Sequence, residues 1–137
     1  MKRLFALISI AFVLALSGSP LPTSARAVNA PHRERAVVEF PEQVKLLNVF
    51  LKGKYLIVHD DALMAQGKDC TYVYESKDGG QGDLVISFHC TPAVRAKASH
   101  FTFRTAALAT NPQIQELREI QFAGSREAHL VPIVPSE

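Results

Sequence analysis

The first hydrophobic signal along the chain is one run, Leu4 to Leu16, broken only by Ser9, and no second run of that length follows it. Downstream, the apolar positions fall into short periodic groups. Val44, Leu47 and Leu51 recur at helical spacing behind Pro41 and Glu42, with Lys52 and Gly53 as a stop, so the pattern predicts a helix from Pro41 to Leu51. After Gly53 the period shortens. Lys54 to His59 is β-branched and aromatic, and Asp60 to Gly67 reads as a capped helical turn. Cys70 to Glu75 and Leu84 to Cys90 read as strands joined by a glycine-bearing loop, Ser76 to Asp83. His100 to Thr105 alternates strictly, with Phe101 and Phe103 on the inward side. In the last third, a helical turn at Pro112–Glu116 is expected before strands at Leu117–Ala123 and Ala128–Val134. A helix through Glu116 to Ile120 is the competing reading.

Together these elements predict one small α+β domain over residues 41–137. Its expected architecture is one N-terminal helix packed on a mostly antiparallel sheet of about five or six strands, with one disulfide. Residues 28–40, with Pro31 and mixed charges, are expected to form a flexible N-terminal arm.

The leading apolar run follows Lys2 and Arg3 and is closed by Ala25-Arg26-Ala27, so residues 1–27 read as a cleaved signal peptide. Its length falls short of the roughly twenty residues that span a bilayer, which favours cleavage over a retained anchor and predicts no stable membrane insertion afterwards. The expected location is periplasmic or secreted. Cleavage also changes the charge. The whole chain carries +2, but Lys2, Arg3 and Arg26 leave with the leader, so twelve basic residues then face thirteen acidic ones and the balance becomes −1. Nothing in that balance points to nucleic acid.

An exported chain with two cysteines is most simply a one-disulfide protein, so Cys70 and Cys90 are expected to be bonded. An antiparallel register with an index sum of 160 places Cys70 opposite Cys90, Tyr72 opposite Phe88 and Tyr74 opposite Ile86 on one apolar face. No Cys-x-x-Cys motif is present, so the pair reads as a staple rather than a redox centre.

Candidate chemistry rests on histidines. If the His100 strand pairs with the Cys90 strand, His89 and His100 share a polar face, and His59 at the end of an earlier strand joins them. With Glu75, Asp60 or Asp61 they form a candidate zinc or copper site, since imidazole and carboxylate are ordinary ligands for both. No other cofactor is implied. Asp60-Asp61 reads as a cap and a solvated neighbour rather than an acid/base pair. There is no Gly-x-Ser-x-Gly, and Gly79-Gly80-Gln81-Gly82 lacks the Lys-Ser/Thr of a phosphate loop, so no catalytic residue is assigned.

The runs Gly53-Lys54-Tyr55, His59-Asp60-Asp61, Met64-Ala65-Gln66-Gly67, Cys70-Thr71-Tyr72, Phe88-His89-Cys90-Thr91-Pro92 and Gln121-Phe122-Ala123-Gly124-Ser125 are similar to motifs of a group of uncharacterised secreted bacterial proteins. That resemblance implies export and a single domain, and no activity. The expected function is a small non-enzymatic binding or structural module for a protein or small-molecule ligand in the cell envelope. Two alternatives stand beside it: a metal-binding protein using His59, His89 and His100, and a small hydrolase without a recognisable motif.

Overall fold

The computed structural model describes residues 32–134; the signal peptide expected at residues 1–27 lies outside them. The fold is mostly β, a sheet curled into a half-barrel. Its strands are β1 (Arg33–Leu46), β2 (Val49–Asp60), β3 (Thr71–Lys77), β4 (Gly80–Phe88), β5 (Thr91–Val94), β6 (Thr102–Leu108), β7 (Asn111–Gln121) and β8 (Glu127–Leu130). Their spatial order is β4-β3-β2-β1-β7-β8-β5, with β6 attached to β7. Between β2 and β3 lies one five-residue helix, α1 (Asp61–Ala65).

This corrects the expected α+β architecture. The segment Pro41–Leu51 is no helix; it is the end of β1, a turn at Leu47 and Asn48, and the start of β2. Val44, Leu47 and Leu51 fit a helical period, but Val38, Phe40, Val44 and Leu46 are the buried positions of β1 and lie an even number of residues apart. Pro41 has no N–H to give to a ladder, and the register shifts between Phe40 and Val44. The bulge absorbs an even number of extra residues, Phe40 facing Gly53 and Val44 facing Leu51, so the core face is kept across it. Residues 33–40, expected in a flexible arm, pair with Gly53–Asp60 instead.

The hairpin of β3 and β4 forms as expected, closed by Asp78 and Gly79, both at positive φ as a tight two-residue turn requires. Its register differs from the one chosen to oppose the cysteines. Thr71 faces Phe88 and Val73 faces Ile86, an index sum of 159, and bulges reduce the sum further toward the turn. Both cysteines therefore fall just outside the ladder. The Cys70 amide donates to the Phe88 carbonyl at 3.1 Å, after which the chain turns away to pair β5 with β8. The expected disulfide is not formed: Cys70 and Cys90 are free, with sulfurs 3.1 Å apart against about 2.05 Å for a bond.

In the last third the strand reading is right for Leu117–Gln121 and Ala128–Leu130, while the turn expected at Pro112–Glu116 is part of β7. The core joins Phe40, Leu46, Leu51, Ile57, Val73, Leu117 and Ile120 to both cysteines. Two histidines, His59 and His129, are buried among the same strands at 0% exposure. A fully buried imidazole requires partners for both ring nitrogens, and those partners define the site.

Candidate metal centre

His59 is the penultimate residue of β2, where it pairs with Glu34 of β1 and Thr71 of β3. His129 lies on β8, opposite Ile120 of β7 and Pro92 of β5. The two rings stack with centroids 3.8 Å apart. Between β4 and β5 the chain delivers Cys90, fully buried, to the same point. The Cys90 Sγ is 3.6 Å from His59 Nδ1 and 3.7 Å from His129 Nδ1.

The far nitrogen of each ring is held by a carboxylate. His59 Nε2 donates to Asp61 Oδ1 at 2.9 Å, and His129 Nε2 donates to Glu34 Oε2 at 3.4 Å. A carboxylate only accepts, so each ring presents a hydrogen on Nε2, and an unprotonated Nδ1 then turns its lone pair toward the sulfur. Burial pushes the His59 pKa down, and the neighbouring His129 lowers it further against the opposing pull of Asp61. His59 is thereby kept as a lone-pair donor. The Cys90 thiol is pushed up to about 12, chiefly by burial, with Thr71 acting in the opposite direction. The Thr71 hydroxyl also lies 3.3 Å from His59 Nδ1, a rotor shared between ring and sulfur.

Helix α1 completes the surroundings. Asp60 caps it, its Oδ1 accepting from Ala62 N at 3.0 Å and Leu63 N at 3.2 Å, and Gly67 ends the turn at φ 70°. One turn of helix thus supplies Asp61 to the His59 ring and Met64 to the sulfur, with Met64 Sδ 3.9 Å from Cys90 Sγ. Cys70 lies behind Cys90 and accepts a hydrogen bond from its amide at 3.4 Å. It is not in the group formed by His59, Cys90 and His129, whose donor atoms all lie within 4.8 Å of one another. Glu127 approaches His129 Nδ1 to 3.9 Å from the solvent side.

The dimensions can be compared with coordination chemistry. A metal about 2.0–2.1 Å from imidazole nitrogen and about 2.3 Å from thiolate sulfur separates N from S by roughly 3.5–3.8 Å at tetrahedral to trigonal angles. Both N–S distances here fall in that range.

Of the three histidines expected to act together, only His59 belongs to this cluster. His89 is exposed, donates from Nδ1 to the Lys68 carbonyl at 2.8 Å, and touches Cys70 rather than Cys90 at 4.0 Å. His100 is exposed beside Ser99, just ahead of β6, which pairs with β7 and not with the Cys90 strand. Asp60 is the helix cap, Asp61 holds a ring and Glu75 is exposed on β3. Sequence reasoning missed His129, Met64 and Glu34, and took Cys90 for a staple. The one local signal for His129 is an imidazole inside the apolar run Ala128-His129-Leu130-Val131. No known family, curated protein or solved structure matches this chain. A separate groove of about 770 Å³, lined in part by Leu47, Ile86, Leu108 and Ile133, shares no residue with the cluster.

Proposed function

We propose that this protein is a non-enzymatic metal-binding protein of the cell envelope, holding one transition-metal ion between His59 Nδ1, His129 Nδ1 and Cys90 Sγ. The observation that carries the reading is the pair of N–S distances, 3.6 and 3.7 Å, made by two rings whose other nitrogens are already committed to carboxylates. Such carboxylate–histidine pairs orient a ligand ring and raise its basicity. Both rings are fully buried, which suits retention of an ion better than turnover of a substrate. An exported location, periplasmic or secreted, is what the expected leader at residues 1–27 supports.

Zinc titration by calorimetry, with the thiols kept reduced, tests the assignment. The expected result is one ion per chain, with His129→Ala and Cys90→Ser each weakening binding by at least about 100-fold and His100→Ala leaving it unchanged. Wild-type affinity in folded His129→Ala would refute it.

A further inference from the structure

We infer that the ion is copper, that Met64 Sδ is its fourth, axial ligand, and that the centre passes single electrons to and from a one-electron carrier. This rests on the metal-binding reading and deepens it.

The donor set favours copper. Two imidazole nitrogens, one thiol and one thioether around a point form a mixed set with a soft component, and thioether sulfur selects copper over the hard divalent ions. Two nitrogens and one sulfur with a weak, long methionine is the arrangement that suits both oxidation states of copper. The two N–S distances, 3.6 and 3.7 Å, match a shell of nitrogen and sulfur at trigonal to tetrahedral angles, and all three donor atoms lie within 4.8 Å of one another. Met64 Sδ, at 3.9 Å from the Cys90 sulfur, is within reach of a long axial bond to the same ion.

His59, Cys90 and His129 come from β2, the β4–β5 junction and β8 of one sheet, and both rings are pinned at Nε2. A site whose ligands barely move between Cu(II) and Cu(I) exchanges electrons at little reorganisation cost, and a closed site offers no position for substrate. The transfer is balanced simply: Cu(II) takes one electron from the reduced carrier and becomes Cu(I), the carrier is oxidised by one electron, and no bond is made or broken.

The buried sulfur ligand is one peptide bond from His89, whose imidazole is exposed at the surface. A short covalent route therefore leads from the surface at His89 to the copper through Cys90.

The test is titration of the reduced, full folded chain with Cu(II), followed by ascorbate and then ferricyanide. The expected result is one copper per chain with an intense thiolate-to-Cu(II) charge-transfer band in the visible, bleached by ascorbate and restored by ferricyanide. Cys70→Ala should keep the band, Met64→Leu should keep it while shifting the reduction potential, and His89→Ala should keep it while slowing electron exchange with cytochrome c. Copper that only consumes the two thiols without a persistent band, in a protein that still binds zinc at His59, Cys90 and His129, would overturn the copper inference and leave the metal-binding reading standing. Loss of copper in folded Cys70→Ala would overturn the ligand assignment, and an unshifted potential in Met64→Leu would remove Met64 from it. Unchanged exchange in His89→Ala would remove the proposed route. Failure to bind either zinc or copper would end both readings.

Discussion

At the scale of single residues, the decisive features are the two carboxylates that hold the rings. Asp61 and Glu34 touch no metal-facing atom, yet each fixes which nitrogen of a histidine is free. Removing one leaves its ring able to adopt the other tautomer and turn its lone pair away from the sulfur. Asp61→Ala is therefore expected to weaken metal binding by about 10–100-fold with the fold intact, measured by competition with a chromophoric chelator. Of the residues that build the centre, His59 and Cys90 were legible in the sequence as a histidine closing a strand and a cysteine closing another. His129 was not, because it comes within 4 Å of Cys90 only through the long-range pairing of β8 with β5 and β7. No local pattern encodes that contact.

Among the elements, α1 matters most although it is only five residues long. It carries both Asp61 and Met64, and a helix this short depends on its cap. Asp60→Ala should cost about 0.5–2 kcal/mol in urea unfolding, and should also weaken metal binding, since Asp61 and Met64 lose their frame. The turn was readable because Asp60 and Gly67 are strong local signals at its two ends. The β1–β2 hairpin was not: Pro41 serves equally as a first helical residue and as the seat of a bulge, and only the pairing of Phe40 with Gly53 and Val44 with Leu51 decides between them. In the same way, an index sum chosen to oppose two cysteines missed the true register by one, because the cysteines sit beyond the ladder rather than in it.

For the whole molecule, burying these groups makes stability without metal depend on pH from two sides. His59 has a folded pKa below its ordinary value of 6.5, so its contribution is fully present above pH 6.5 and is lost as pH falls through the lowered folded value. Cys90 is raised from 9.0 to about 12, so its contribution is fully present below pH 9 and is lost as pH rises toward 12. Urea unfolding of the metal-free protein should accordingly be hardest between about pH 6.5 and 9, with Cys90→Ser flattening the alkaline side. What defines the centre is two nitrogens and one sulfur meeting at one ion. The X-ray absorption spectrum of the zinc-loaded, reduced protein reads that shell. It should contain two imidazole nitrogens at about 2.0–2.1 Å and one sulfur at about 2.3 Å. A shell of oxygen and nitrogen alone, with no sulfur, would contradict it.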